Sequence, residues 1–538
     1  MKLTERKSKI ILIILIILQI SNIVFWGTKK EGYHIDEIFS YGLSNAYYDP
    51  FPYYQDEGYF MEWHDVEYFT DYVMVSEDHR YAYDSVWYNQ AEDVHPPLFY
   101  TLLHTVCSLF PGTFSNWYGI GINIVFSILN ILLLYWVSCF LFKEKREWAL
   151  LICAAYGFSA GCVSNAIYIR MYVMVTFFVL LFTLLHALLY KQENYKKYFP
   201  LVAVATVLGT LTHYYFYVFA FFVSAFFCMY LIVTRKWKPL CGYVVSMFGG
   251  IAVSLIIFPS ALKHVFVGYR GTEAVDNLAG GNLLGKISGY ITYVNLELLG
   301  GYLKYLVLLM AVVVIALIVK NSLKVKIIKD VGISVEYQIQ GSLKLMKAEY
   351  ANVSFLVASI AYAVLAACMS TISANRYIFP VYPLFVLYIT WVIACLVERL
   401  ISKKGYAVIV SAIIWTLMLV SQYKNGYIDY LYKGYAITQA AVAQYSDSDV
   451  LYISQDAYPI YRDMMFVAKA DRFICIQNSN LEESLEEIKD EMSSSDSLIY
   501  IFKEHNDEEV LNIISEKLGL SAFEFIAETY QSRIYYGY

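Results

Sequence analysis

The stretch Ile10–Trp26 reads IILIILIILQISNIVFW and carries no charged side chain. A helix rises about 1.5 Å per residue, so about 20 apolar residues cross the roughly 30 Å hydrocarbon core of a bilayer. Lys2, Arg6, Lys7 and Lys9 precede the stretch, and no small-residue cleavage site follows it. This pattern predicts an uncleaved membrane anchor whose N-terminus lies in the cytoplasm.

The composition of the whole chain is that of a membrane protein. Of the 538 residues, 59% are hydrophobic and only 16% are charged, and the mean hydropathy is +0.49. So few charges cannot cover several soluble domains, and the surplus apolar surface is expected to face lipid. The 40 basic residues are balanced by 46 acidic ones, without the basic excess of a nucleic-acid binder. The composition therefore disfavours a soluble enzyme, a disordered protein and a nucleic-acid-binding protein.

Further apolar runs predict a polytopic α-helical protein of the plasma membrane. They cover 117–142, 148–165, 169–190, 198–212, 214–233, 239–259, 297–319, 350–370, 377–398 and 405–422. With the anchor they make about eleven transmembrane helices. The shorter run 96–110 is predicted to lie flat on the membrane as an interfacial helix. That choice places most Lys and Arg of the connecting segments on the cytoplasmic side, as the positive-inside rule requires.

Two polar parts then fall on the extracytoplasmic side. The first loop, 27–116, is strongly acidic, with 15 acidic residues between positions 27 and 95. The tail, 424–538, alternates short apolar runs with helix-like stretches, which predicts a small α/β domain. The chain is therefore expected to consist of a transmembrane domain, 1–423, and an extracytoplasmic α/β domain, 424–538.

Ionisable residues far apart in the chain are assigned to this one face. A carboxylate of Asp36 or Glu37, held against the bilayer surface, would be partly desolvated and suited to act as a general base, although a solvated surface charge is the alternative. Arg170 and Arg376 are isolated cations at the outer ends of spans, where a guanidinium is well placed to bind a phosphate group. The alternative is that each side chain only extends its charged end from the membrane to the water.

The histidines and the short motifs indicate less about function than these carboxylates and arginines do. His213 lies at an outer turn and is either a hydrogen-bonded core residue or a ligand, and His95 precedes a proline-started helix. The P-loop-like spacing of 280–286 lacks the required Ser or Thr, and the Asp447-Ser448-Asp449 motif is placed outside, away from nucleotides. No metal site is predicted, and a divalent cation has only weak support from scattered His34, His64 and His79.

Carboxylates and arginines at one lipid boundary suggest transfer chemistry on a phosphate-bearing lipid. Nucleotide sugars are kept in the cytosol, so an enzyme on the outer face needs a donor that has already crossed the membrane. A polyprenyl-phosphate-linked sugar meets that requirement.

Five short segments, in order along the chain, resemble the GT-C superfamily of glycosyltransferases. The resemblance is to family 39, which includes protein O-mannosyltransferases and bacterial aminoarabinose transferases. The segments are His34–Glu37, Asp93–Tyr100, Arg170–Tyr172, Thr212–Tyr214 and Arg376–Tyr377. One departure is Tyr168, which stands where relatives often carry an acidic residue two positions before the arginine.

The resemblance implies a GT-C fold and a role for each matching residue. Asp36 would be the base with Glu37 assisting. The donor phosphate would be bound by Arg170, Arg376 and His213. The other pocket residues would be His95, Tyr172, Tyr214 and Tyr377.

The expected function is transfer of a sugar from a polyprenyl-phosphate donor to an acceptor hydroxyl of a protein, glycan or lipid, with inversion. A transporter or flippase of lipid-linked saccharides, or a scaffold in envelope assembly, is the alternative. A transporter should carry ionisable residues near the bilayer midplane, whereas here they lie at one edge of the spans.

Overall fold

The computed structural model describes residues 3–51, 60–65, 67–142, 145–280, 283–319, 323–328, 332–337, 347–401, 404–456, 459–492 and 496–538. The chain divides into two compact units. The first, here called the membrane unit, comprises Met1–Val24, Asn123–Ala166 and Met171–Asp429. The second, the loop–tail unit, comprises Phe25–Ile122, Ile167–Arg170 and Tyr430–Tyr538.

Eight helices among the described residues are long and apolar enough to cross a membrane. They are Glu5–Gly27, Asn116–Leu141, Tyr172–Gln192, Phe216–Val233, Trp237–Ile257, Glu349–Met369, Phe379–Glu398 and Gly405–Lys424. A ninth span results if Arg146–Gly157 and Ala160–Ile167, which meet at a bend of 56°, count as one broken helix. Large apolar side chains on these helices, such as Phe248 and Ile256, are exposed, as expected for surfaces that face lipid. The protein is therefore a multi-pass membrane protein.

Each of the eleven predicted spans coincides with a helix or with the bent pair, but two of these helices are shorter than a full span. Tyr195–Thr210 has 16 residues with Pro200 inside it, and Leu303–Val319 has 17 residues. The hydropathy of the sequence stays high through the turn before Phe216. The sequence therefore predicts that helix Tyr195–Thr210 ends at residue 212, later than it does in the structure.

The remaining elements of the membrane unit are shorter. Helices Ser260–Phe266, Tyr269–Ala279 and Leu283–Glu297 precede Leu303–Val319. An antiparallel hairpin pairs Leu323–Ile328 with Gly332–Tyr337. Two 3-10 turns, Asn375–Tyr377 and Phe379–Val381, lead into helix Tyr382–Leu400.

The loop–tail unit is built on a six-stranded sheet, which confirms that the tail contains a small sheet. The strand order is Trp63–Asp65, Arg472–Gln477, Asp449–Ser454, Ser497–Phe502, Ser532–Gly537 and Phe523–Glu528. The pairings on both sides of Asp449–Ser454 are parallel and the others are antiparallel. Buried strands in parallel pairs need apolar residues on both faces, and Asp449–Ser454 is buried throughout.

Helices cover this sheet and build the first loop. Leu481–Ile488 and Asp507–Leu518 pack on the sheet core, and Tyr435–Val442 and Ile460–Val467 complete the tail. The first loop contributes helices Ile35–Asn45, Glu67–Val73, Tyr83–Glu92 and Leu98–Cys107. Its strand Trp63–Asp65 pairs with Arg472–Gln477 at the sheet edge, so the first loop and the tail share one sheet.

Candidate functional site

The first helix of the loop begins with a capping box that places two carboxylates in its first turn. His34 is the N-cap residue, and its Nδ1 accepts the backbone N–H of Asp36 at 3.0 Å. Glu37 Oε2 accepts the backbone N–H of His34 at 2.7 Å. These bonds satisfy the free N–H groups of the helix start, and the helix dipole favours negative charge there.

Glu37 is fully buried and holds together three segments of the loop–tail unit. Its Oε2 also accepts from Lys30 Nζ at 3.0 Å, and its Oε1 accepts the backbone N–H of Ile169 at 2.8 Å. Lys30 Nζ donates to the carbonyl oxygen of Tyr430 as well, at 2.8 Å. Burial raises the pKa of Glu37 and lowers the pKa of Lys30. The contacts of Glu37 are with the protein itself, and this favours a positioning role.

Asp36, in contrast, stays partly exposed, at 26% of its side-chain surface. Tyr168 Oη donates to Asp36 Oδ2 at 2.8 Å. The Tyr168 ring stacks on that of Tyr430, with 4.1 Å between centroids and 16° between planes. Tyr168 thus places a hydroxyl donor on the Asp36 carboxylate.

Arg170 lies next to this helix start and is nearly buried, at 4% exposure. Its Nη1 donates to Tyr100 Oη at 2.9 Å, to the carbonyl oxygen of Asp36 at 3.2 Å and to Ser40 Oγ at 3.3 Å. Its Nη2 lies 3.1 Å from His95 Nε2. A guanidinium has only donors, so these contacts fix its plane beside the backbone of Asp36.

His95 and Asp93 extend the hydrogen bonds of Arg170. Because Arg170 donates to Nε2 of His95, the ring proton of His95 lies on Nδ1 and is donated to Asp93 Oδ2 at 2.7 Å. Burial raises the pKa of Asp93 while His95 and Arg170 lower it, and the net pKa lies below its usual value. Asp93, His95 and Arg170 therefore form one hydrogen-bonded chain that ends near Asp36.

The other predicted site residues belong to the membrane unit. The ring centroid of His213 lies 5.5 Å from that of Tyr172, and Tyr172 lies 6.5 Å from Tyr377. The Arg376 guanidinium lies 5.2 Å from the Tyr377 ring. His213 Nδ1 also accepts a backbone N–H at 3.0 Å. These four residues form one aromatic and cationic cluster in which His213 and Arg376 are each 8% exposed.

Tyr214 forms a hydrogen bond with a further histidine. Its hydroxyl is 2.8 Å from Nδ1 of His264, on helix Ser260–Phe266. The structure therefore gives Tyr214 a hydrogen bond that links two segments of the membrane unit.

Sequence reasoning missed a second group beside Arg376. Asn375 Nδ2 donates to Glu297 Oε1 and to Asp429 Oδ2, both at 2.6 Å. Tyr382 Oη donates to Glu297 Oε2 at 2.9 Å. These contacts hold the turn that carries Arg376, and no local sequence pattern joins three segments so far apart.

The described residues contain no group of three or more His, Cys, Asp or Glu side chains placed to hold a metal ion. In the Asp447-Ser448-Asp449 motif, both carboxylate oxygens of Asp449 accept from Arg472, at 2.7 and 3.0 Å. Asp449 is thus an ion-pair partner on a central strand.

Comparisons with known proteins agree with this architecture. Residues 94–324 match the model of Glycosyltransferase family 87. No curated protein sequence matches the chain.

Solved structures match the chain over almost its whole length. ArnT from Cupriavidus metallidurans in the apo state is 11% identical, with 97% of both chains covered and a TM-score of 0.51. The same protein bound to undecaprenyl phosphate gives 9% identity, 97% of both chains and a TM-score of 0.50. The apo oligosaccharyltransferase of Archaeoglobus fulgidus gives 10% identity and a TM-score of 0.50, covering 97% of this chain and 73% of that one.

The fold is therefore that of GT-C membrane glycosyltransferases, as the sequence motifs imply. The matching family model is that of family 87, whereas the motifs resemble family 39. The assignment to family 39 remains a prediction.

Proposed function

We propose that the protein is an integral-membrane glycosyltransferase that moves a sugar from a polyprenyl-phosphate donor to an acceptor hydroxyl on the outer face of the membrane. The family model over residues 94–324 supports the reaction class. The likeness to ArnT, which was solved with undecaprenyl phosphate, supports the donor class. The observation that carries the proposal is the partly exposed carboxylate of Asp36, a residue whose backbone carbonyl oxygen accepts from Arg170.

In the proposed reaction Asp36 is the general base. It takes the proton of the acceptor hydroxyl, and the acceptor oxygen forms a bond to the anomeric carbon. The bond from that carbon to the phosphate oxygen breaks, and its electron pair leaves with polyprenyl phosphate. Attack from the face opposite the phosphate inverts the anomeric configuration. Asp36 then loses its proton to water.

The cations are proposed to stabilise the leaving phosphate. Arg170 supplies a charge that is already in place, because Tyr100, His95 and the carbonyl of Asp36 fix its guanidinium. Such preorganised charge is a large contribution to catalysis. Arg376 and His213 are proposed to bind the same phosphate.

The remaining residues are proposed to position these groups. Glu37 acts through Lys30 and the start of the helix, and His95 acts through Arg170. Tyr172 and Tyr377 shape the surroundings of His213 and Arg376, and Tyr214 supports them through His264. We further propose that the N-terminus is cytoplasmic and the loop–tail unit extracytoplasmic, in agreement with the distribution of Lys and Arg.

The test is transfer by purified protein from a radiolabelled polyprenyl-phosphate sugar. We expect Asp36→Asn to fold and to bind donor but to lower transfer by roughly 10²-fold or more, since a general base contributes that much. Asp78→Asn, an exposed carboxylate of the same loop, is the matched control and should keep full activity. Near-normal turnover by Asp36→Asn would remove Asp36 from the role.

The bent pair Arg146–Gly157 and Ala160–Ile167 is the one observation in favour of a second candidate. Transporters often bind substrate at broken helices, so a flippase of lipid-linked saccharides would fit it. Release of free polyprenyl phosphate from the labelled donor distinguishes the two, because a flippase or a scaffold leaves the donor intact.

A further inference from the structure

A cleft with a volume of about 810 Å³ opens in the loop–tail unit beyond the C-terminal end of helix Ile35–Asn45. This volume is within the usual range of small-molecule sites, about 300 to 1,000 Å³. Its walls include Tyr47, Tyr68, Asp49 and Asp71. None of these residues belongs to the catalytic site proposed above.

One wall of the cleft is a preformed aromatic platform. The rings of Tyr47 and His79 are stacked in parallel, 3.7 Å apart with 1° between their planes. Ser76 Oγ lies 2.9 Å from His79 Nδ1 and fixes the histidine ring. Tyr47 is nevertheless 48% exposed. An exposed, rigid aromatic surface suits the flat C–H face of a sugar ring, because it provides apolar contact at low entropic cost.

Polar groups surround this platform. Asp49 and Asp71 bring carboxylate acceptors, and the hydroxyl oxygen of Thr70, whose proton is donated to the carbonyl oxygen of Glu67, is a further acceptor. Many hydroxyl groups and a few apolar C–H faces are what a carbohydrate presents. An aromatic surface combined with several polar groups therefore matches a saccharide better than an apolar peptide.

The acidic charge of the first loop favours a neutral saccharide over an anionic one. Between positions 27 and 95 the 15 acidic residues are accompanied by only Lys29, Lys30 and Arg80 as basic residues. At the cleft itself the carboxylates of Asp49 and Asp71 repel phosphates, sulfates and uronic acids and leave neutral sugars unaffected.

We infer that this cleft binds a neutral oligosaccharide and that this saccharide is the remote part of the glycosyl acceptor. The second half of the inference rests on the proposed function; the binding itself does not. Asn45 on the cleft wall is nine residues after Asp36, about 14 Å along the helix, so the cleft can contribute to acceptor affinity without contacting the reacting atoms.

The binding test uses the purified full chain and fluorescently labelled neutral hexose and N-acetylhexosamine oligomers. Matched oligomers that carry a phosphate or carboxylate, and an unstructured Ser/Thr-rich peptide, are measured beside them. We expect at least one neutral oligomer to bind. Tyr47→Ala and Asp71→Asn should each weaken its binding by about 10-fold.

The exposed Tyr530→Ala is the control, because Tyr530 lies in the same unit outside the cleft and is 71% exposed. It should bind like the unaltered protein. The inference is overturned if no neutral oligomer binds, if the anionic oligomers or the peptide bind better, or if the two cleft variants bind like Tyr530→Ala.

A transfer assay with the bound oligomer as acceptor tests the second half. Tyr47→Ala should raise the KM for this acceptor about 10-fold and leave kcat unchanged, as expected for binding far from the reacting atoms. If the oligomer binds but accepts no sugar, the acceptor role is overturned while the binding site stands. Loss of kcat with unchanged KM would also overturn the acceptor role. If the unaltered protein transfers sugar from the donor to no acceptor at all, whether this oligomer or another, the proposed function fails instead.

Discussion

Tyr168 contacts the proposed base through its hydroxyl and the tail through its ring. Tyr168→Phe removes the bond to Asp36 and keeps the ring that stacks on Tyr430. We expect kcat to fall by about 10-fold, the worth of one hydrogen bond to a charged group. This bond stabilises the charged form of the Asp36 carboxylate. As the solution is acidified, the variant should therefore lose activity at a higher pH than the unaltered protein does.

The pH–rate profile of kcat/KM distinguishes this role from a structural one. Tyr530→Phe, which alters an exposed hydroxyl, should have the profile of the unaltered protein. An unchanged acid limb in Tyr168→Phe would show that Tyr168 does not act on the base.

The buried pair Lys30 and Glu37 permits a sharper test of positioning. Their side chains are 1% and 0% exposed. Lys30→Met leaves the Glu37 carboxyl buried without its cation, which typically costs about 3 to 5 kcal/mol. Lys30→Met combined with Glu37→Gln should recover much of this loss, as measured by thermal unfolding in detergent. If the single variant is as stable as the double variant, the pair does not hold the unit together.

At the scale of one element, the packing of helix Ile35–Asn45 depends on Gly42. A Cβ atom at Gly42 would overlap the buried ring of Tyr72. Gly42→Ala should therefore destabilise the protein by about 1 to 3 kcal/mol, although Ala favours a helix by about 1 kcal/mol.

The matched control is Gly121→Ala, in helix Asn116–Leu141, where a Cβ atom would meet no neighbour. It should be neutral or stabilising in the same unfolding measurement. Equal unfolding temperatures for the two variants would contradict the close approach of this helix to Tyr72.

Elements in the membrane could be predicted because each depends on local composition. An apolar run of sufficient length is helical wherever it lies in the bilayer, and the tail alternation predicted a sheet for the same local reason. The bend between Gly157 and Ala160 could not be predicted, because hydropathy does not change there. The pairing of Trp63–Asp65 with Arg472–Gln477 could not be predicted either, because nothing local specifies a partner some 400 residues away.

The distinction between local sequence signals and contacts of distant segments also applies within the candidate site. Asp36 and Arg170 could be proposed from the sequence because a charge beside an apolar run is conspicuous there. Lys30 and Tyr430 were missed, and Tyr168 was noted only as a departure from the family pattern, because their contacts join distant segments. Glu37 could be proposed as well, but its burial depends on those same contacts.

At the scale of the whole molecule, the tail is part of the proposed active site. Tyr430 supplies the carbonyl oxygen that binds Lys30 and the ring that stacks on Tyr168. Tyr430→Ala in the full chain should therefore lower transfer by about 10-fold while the membrane helices remain folded. Deletion of 430–538 should abolish transfer, although every residue assigned to catalysis or phosphate binding remains in the chain.

The measurement is transfer activity normalised to monodisperse protein after size exclusion. Tyr538→Ala, an exposed aromatic at the far end of the tail, serves as control for Tyr430→Ala. Full activity of a well-folded chain without residues 430–538 would show that the tail is dispensable for catalysis.

The shared sheet also has a consequence for biosynthesis. The strand Trp63–Asp65 leaves the ribosome some 400 residues before its partner Arg472–Gln477. At about 5 to 20 residues per second, the newly made first loop waits roughly 20 to 80 s with an unsatisfied strand edge. During that interval the strand edge is open to other partners, and the proposed active centre can mature only after Tyr430 has been synthesised.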